Sequence, residues 1–147
     1  MKISTRGRYA LRALMYLAMH KDKKDLVILK DISQDQDISI KYLESIMRML
    51  VSFGLVTSHK GKGGGLALAK DPSEIKFSDI LEASEGPLVL VDCVDKPDSC
   101  KRSGTCGARR LWEDYSRVFY EHFSGVTLAE LVKKYCDTGT LQEAHHG

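Results

Sequence analysis

The stretch that most constrains this chain is residues 40–69, where a helical hydrophobic period gives way to two short β-like runs around a glycine-rich centre. Between Ile40 and Phe53, Leu43, Ile46, Met47 and Leu50 recur at i, i+3, i+4 and i+7, which puts them on one side of a helix. The other side carries Lys41, Tyr42, Glu44, Ser45 and Arg48, and Gly54 stands where a helix end favours a left-handed residue. Leu55 to Lys60 predicts a strand, Gly61-Lys62-Gly63-Gly64-Gly65 a flexible tip, and Leu66 to Ala69 the return strand. Upstream, Leu29 to Gln36 predicts a short helix, and Asp37-Ile38-Ser39 supplies a turn and an N-cap for the next one. Short helix, turn, amphipathic helix and hairpin read as a helix-turn-helix followed by a wing.

The flanks fit one compact unit with an appended helix. Ala10, Ala13, Leu14 and Leu17 predict a first helix over Arg6 to His20, and Lys21 to Asp25 a loop. Ser78 to Glu85 predicts a short helix ended by Gly86-Pro87, and Leu88 to Val91 is an apolar, strand-like run. From Ala108 to Ser124 a long helix carries Leu111, Tyr115, Val118 and Phe119 on one face, and Thr127 with Glu130 forms a capping box for a last helix to about Cys136. Adding Trp112, Tyr120 and Phe123, this helix has more bulk than a thin fold of 147 residues can cover, so a self-complementary second copy, a homodimer, is expected. The fold class is mainly α with a small β-hairpin wing (α+β). Its expected parts are a winged helix-turn-helix domain at 1–86, a cysteine-containing sensor loop at 87–107, a dimerisation helix and terminal helix at 108–136, and a flexible tail at 137–147.

Charge is divided unevenly along the chain. Residues 1–70 hold 13 Lys and Arg against 6 Asp and Glu, and residues 71–147 hold 9 against 14. A basic first half suits a phosphate-binding surface. The expected contacts are Arg6 and Arg8 at the N-terminus, Ser39, Lys41, Tyr42, Glu44, Ser45 and Arg48 on the third helix, and Lys60, Gly61, Lys62, Gly63, Gly64 and Gly65 on the wing. Glu44 is suited to accept from cytosine N4, Ser45 to meet either kind of base edge, and the wing lysines to meet phosphates. No apolar stretch reaches membrane-spanning length, and Arg6, Arg8 and Arg12 interrupt any secretory apolar run, so a cytoplasmic protein is expected. A P-loop and a G-x-G-x-x-G spacing are both absent.

Cys93, Cys100 and Cys106 follow one another as C-x6-C-x5-C in a polar segment, whereas Cys136 sits at a core or helix-end position. A cytoplasmic chain keeps such thiols reduced, which favours metal ligation or redox chemistry over structural disulfides. An iron–sulfur cluster, a reversible thiol switch, zinc, or no ligand role are the open alternatives, with zinc disfavoured by the lack of C-x2-C. Lys101, Arg102, Arg109 and Arg110 would stabilise thiolates or an anionic cluster. With no C-x-x-C and no His inside the segment, an enzyme is not expected.

Met1-Lys2-Ile3-Ser4-Thr5-Arg6-Gly7-Arg8-Tyr9-Ala10, Asp31-Ile32-Ser33, Ile38-Ser39-Ile40-Lys41-Tyr42-Leu43-Glu44, Gly54-Leu55-Val56, the wing glycines, Leu111-Trp112 and Thr127-Leu128-Ala129-Glu130-Leu131-Val132 together resemble the Rrf-two family of winged helix-turn-helix regulators over nearly the whole chain. The resemblance implies a homodimer with crossing long helices on double-stranded DNA at a pseudo-palindromic operator. It also implies an iron–sulfur cluster, [2Fe-2S] ahead of [4Fe-4S], in the segment of Cys93, Cys100 and Cys106, whose state changes DNA affinity or site choice. A cluster-free regulator using a thiol switch or a small-molecule effector is the alternative, since some members bind no cluster. Where the family's cluster regulators place a His three residues after the third cysteine, this chain has Arg109, and where its nitric-oxide sensors use an N-terminal Asp, it has Arg8. The first cysteine gap is also one residue longer. The fourth ligand stays open among Asp92, Asp95, Asp98, Glu113, Cys136 and a small exogenous group.

Overall fold

The computed structural model describes residues 2–22 and 25–136. Seven α-helices and one two-stranded antiparallel sheet are present among them: α1 (Thr5–His20), α2 (Leu29–Gln36), α3 (Ile40–Ser52), β1 (Val56–His59), β2 (Gly65–Leu68), α4 (Phe77–Glu85), α5 (Asp92–Asp95), α6 (Gly107–Ser124) and α7 (Leu128–Cys136). The expected flexible tail at 137–147 lies outside the described residues.

The first and third helices each start on a serine cap. Ser4 Oγ accepts from the Gly7 N–H at 3.1 Å to open α1, and Ser39 Oγ accepts from the Tyr42 N–H at 3.3 Å to open α3. The tight corner between α2 and α3 turns on Asp37, held left-handed at φ 51°, while Ser33 Oγ donates to the Ile38 carbonyl at 2.6 Å. The inward faces of these helices meet in one core: Ala10, Leu14, Ile32, Leu43, Ile46 and Leu50 have no exposed surface. Removing each of the leucine and isoleucine side chains among them from water supplies about 1.5–3 kcal/mol.

The sheet pairs Val56 with Leu68, Thr57 with Ala67, Ser58 with Leu66 and His59 with Gly65. A third edge joins it: Val27 and Leu66 exchange both backbone hydrogen bonds, at 2.9 and 2.7 Å. The hairpin is thus fastened to the segment that leads into α2. Gly65 belongs to β2 and not to the tip, because a Cβ there would stand 2.9 Å from the Val27 carbonyl oxygen.

Two further expectations change. Leu88 to Val91 forms no strand: it pairs with no strand among the described residues, and the Leu90 N–H donates instead to Ser116 Oγ on α6 at 3.0 Å. The cysteine segment is not one open loop but is broken by α5 and by a single 3₁₀ turn at Pro97–Ser99. After α6 the chain returns to the first unit. The Phe77 N–H bonds the Val126 carbonyl and the Leu128 N–H bonds the Ile75 carbonyl, both at 2.8 Å, and Leu128 is fully buried in the same core as α1 and α3. Among the described residues no helix is long and apolar enough to cross a membrane.

Candidate nucleic-acid interface and cysteine segment

Packing divides α3 cleanly. Leu43, Ile46, Met47 and Leu50 are buried, while Lys41, Glu44, Ser45 and Arg48 are exposed along its outer side. Tyr42 is half-buried, because its ring meets that of Tyr9 on α1 edge-to-face at 5.9 Å. The hairpin stands beside this outer side, and a cavity of about 680 Å³ opens between them. Glu44 and Arg48 line it from α3, and His59, Lys60 and Gly64 line it from the hairpin. Five of the expected contacts, Glu44, Arg48, Lys60, Gly64 and Gly65, are therefore gathered in one groove, and Lys62 is exposed at the tip beside it.

The tip glycines have internal reasons to be there. Gly61 and Gly63 have φ of 90° and 77°, which L side chains rarely adopt, and a Cβ on Gly64 would lie 2.2 Å from the His59 carbonyl oxygen. The groove also contains residues that the sequence reading did not single out. Ile28 and Val51 are exposed at 48% and 38%; Val51 interrupts the polar side of α3, whereas Ile28, inside the apolar run Leu26 to Leu29, gave no signal.

Not every arginine expected at the interface is free. Arg6 donates from Nε and Nη2 to the Ser84 carbonyl at 3.0 and 2.6 Å, which ties α1 to the end of α4. Arg8 is exposed, with Nη2 donating to Thr5 Oγ1 at 3.0 Å. Arg12 braces α1 to α2 by bonding the side chain and carbonyl of Gln36, and its guanidinium lies 5.1 Å above the Tyr9 ring.

The three cysteines of the second region carry free thiols, Cys93 on α5 and Cys106 as the N-cap of α6 both half-buried and Cys100 exposed. They are not gathered: among the described residues no three His, Cys, Asp or Glu side chains lie close enough to hold a metal ion. The donor chemistry does fit a thiolate-held centre, with free thiols beside a fixed cation. Arg109 Nε donates to the Cys93 carbonyl at 2.8 Å and its Nη2 lies 2.9 Å from Glu113 Oε1. Cys136 lies apart from the segment at the end of α7.

A helix-turn-helix followed by a hairpin, with Arg48 and Lys60 among the residues between them, has the architecture of winged helix-turn-helix DNA-binding proteins. A family model described as an iron-dependent transcriptional regulator, Rrf2, matches residues 3–134, and the chain belongs to the Rrf2 family. It is 37% identical over 132 residues to the HTH-type transcriptional regulator IscR of Serratia proteamaculans, covering 90% of this chain and 79% of that protein. The structure of T. potens IscR superposes with a TM-score of 0.71 at 31% identity, covering 100% of this chain and 93% of that one. CymR, the global cysteine regulator of B. subtilis, superposes with a TM-score of 0.74 at 31% identity, covering 91% and 98%. These relatives are transcriptional regulators and not enzymes.

Proposed function

We propose that this chain is a homodimeric, cytoplasmic transcription regulator whose DNA affinity or site choice is set by an iron–sulfur cluster, [2Fe-2S], held by Cys93, Cys100 and Cys106. The observation that carries the DNA-binding part is the groove in which Glu44, Arg48 and Lys60 converge. In this reading α3 enters the major groove: Ser39 and Lys41 lie near its leading end, Tyr42 contributes its exposed edge, and Glu44, Ser45 and Arg48 meet bases or the adjoining phosphates. The hairpin straddles the sugar–phosphate wall, where Lys60 and Lys62 supply charge and Gly61, Gly63 and Gly64 allow close backbone approach. Arg8 adds an exposed cation from α1, whereas Arg6 and Gly65 serve the frame that holds the interface. Residues 1–86 form the DNA-binding part, 87–107 the sensor segment and 108–136 the dimerisation end, with α7 also closing the core of the first part.

The exposed apolar face of α6 supports a dimer that presents two recognition helices to a pseudo-palindrome. When bound, the cluster supplies a centre that responds to iron supply, oxidants and nitric oxide. Arg109 links the cysteine segment to the start of α6, so ordering the thiols alters how that helix begins. The test is operator affinity of cluster-loaded protein, cluster-free protein and the Cys93→Ala/Cys100→Ala/Cys106→Ala variant in the same salt. A coupling of about 1–3 kcal/mol gives a difference of about 5–150-fold between loaded and cluster-free protein, with the variant matching the latter. Agreement of all three on every target site removes the sensor reading. A second reading, a cluster-free thiol switch, is favoured by the separation of the free thiols and by the likeness to a cysteine regulator. Its mark is a colourless, iron-free protein whose DNA binding changes on oxidation.

A further inference from the structure

One imidazole stands in the groove between α3 and the hairpin, outside the set of residues read from the sequence as DNA contacts. His59 is the last residue of β1, exposed, and one position before the wing lysine Lys60. Its cross-strand partner is Gly65, which has no side chain to cover the ring. Across the groove α3 presents Glu44 and Arg48, the hairpin adds Lys60, and the start of α2 with the residue before it adds only Leu29 and Ile28. The charged groups that share the groove with His59 are therefore one carboxylate and two fixed cations.

The other described histidines are occupied. His20 Nδ1 lies 2.8 Å from the Tyr16 carbonyl oxygen, with its ring stacked on that of Tyr16 at 3.9 Å, and His122 meets the Phe123 ring edge-on at 6.1 Å. The ring of His59 has no hydrogen bond, ion pair or aromatic contact with another described residue. Its two nitrogens thus point at nothing of their own chain, in the one place where two cations and the sugar–phosphate wall are expected to meet.

We propose that His59 is a further DNA contact, which as an imidazolium donates a ring N–H to a backbone phosphate in the groove, so that DNA binding takes up a proton. The assignment rests on the reading that this groove meets DNA. Imidazole is the side chain whose charge ordinarily changes between about pH 5 and pH 8. A phosphate entering between Arg48 and His59 brings a negative charge and an oxygen that accepts an N–H, and both favour the protonated ring in the complex over the free protein. The proton comes from solvent and goes to the lone pair of the second ring nitrogen, after which either nitrogen can donate. A group that holds its proton more tightly in the complex strengthens binding at low pH, and that gain is lost as pH rises through its titration in the complex. Glu44, the one carboxylate in the groove, makes no bond to the ring, so the imidazolium is left for the phosphate.

The test is DNA affinity of the full-length protein at about pH 6 and about pH 8, each over a range of salt. The probe is a duplex selected from a random pool by wild type at the lower pH. Wild type should bind about five-fold more weakly per protomer at the higher pH, the difference between a charge-assisted and a neutral hydrogen bond. Its log–log salt slope should be shallower there by about 0.9 per protomer, the loss of one neutralised phosphate. His59→Gln should lose the five-fold change and keep the shallower slope at both pH values. His59→Lys should bind tightly with the steeper slope at both, a rescue by a permanent cation that a ring merely shaping the hairpin would not give. Glu44→Gln should keep the pH dependence, which separates His59 from the carboxylate beside it. A wild-type affinity and slope that do not change with pH overturn the contact. So does a His59→Gln variant with the wild-type pH dependence while Arg48→Ala and Lys60→Ala weaken binding, and the groove reading then stands. If Arg48→Ala and Lys60→Ala also leave affinity and salt slope unchanged, the groove does not meet DNA and both readings fall.

Discussion

Helices α3 and α6 have the same kind of sequence and opposite fates. Both carry apolar residues at helical spacing, yet on α3 those residues are at most 4% exposed, while on α6 Leu111, Tyr115, Val118 and Phe119 are 40–57% exposed. The sole buried residue of α6 is Ser116. On α3 the polar side is left outward, the side proposed to meet DNA; on α6 the polar side is turned inward and the apolar side outward. Hydrophobic periodicity therefore states that a face must be covered, but not by which chain. The difference is decided by connectivity, since α3 lies between α1 and the hairpin while α6 touches its own chain mainly along one stripe and at its two ends.

The contrast can be broken most forcefully at Leu43. Leu43→Ala leaves a cavity in a fully buried site and should lower unfolding free energy by about 2–5 kcal/mol in a denaturant titration. Val118→Asp should instead halve the solution mass at micromolar concentration and abolish operator binding, with a much smaller loss of monomer stability. If it destabilises as severely as Leu43→Ala while the mass stays unchanged, Val118 is covered by its own chain and the contrast fails. On the outer side of α3, Glu44→Ala should change discrimination at one base pair by about 1–3 kcal/mol. Lys62→Ala should weaken binding to all sequences and reduce its salt dependence, and a selection experiment at two salt concentrations separates the two behaviours.

The smallest effect belongs to a link outside both faces. Lys21 donates to Asp71 at 2.7 Å, and that bond, followed by the backbone N–H and hydroxyl of Ser73, holds the Asp71 carboxyl well below the usual carboxylate range. A depressed carboxyl contributes stability that is fully present above its unfolded pKa and is lost as pH falls through the folded one. Wild type should thus exceed Asp71→Asn slightly at neutral pH, with the gap closing in acid. Because both side chains are about half exposed, added salt should shrink it too. A gap that widens in acid refutes the assignment.

Local patterns made much of this fold legible: the caps at Ser39 and Thr127, the periodicity of α1, α3 and α6, and the hairpin glycines other than Gly65 read correctly. Chain segments whose fate depends on distant partners did not. Leu88 to Val91 has strand-like composition, but composition supplies no partner strand, and the Leu90 N–H is taken up by Ser116 Oγ, 26 residues away. Charge suggested Arg6 for the DNA surface, but a count of cations does not show direction, and it could not reveal that this guanidinium also meets a carbonyl at the end of α4, 78 residues away. The cysteine spacing identified the sensor candidates but not the inward stripe beneath them, which becomes visible only once α6 has a known rotation.

The return of α7 to the core has a mechanical meaning. Near its end, α6 is held by Ser124 Oγ donating to Ser78 Oγ at 3.2 Å and by the Phe77 and Phe123 rings at 5.2 Å, with Leu128 anchored just beyond. Its other end rests on Cys93 through Arg109. A helix of this length is a rod of about 27 Å. Held at both ends, it behaves as a lever: a swing of about 10° at the α4 end would carry the cysteine end about 5 Å. Read in the other direction, an adjustment of a few ångströms among the thiols would need a change of angle at α4, whose end meets the start of α1 through Ser84 and Arg6.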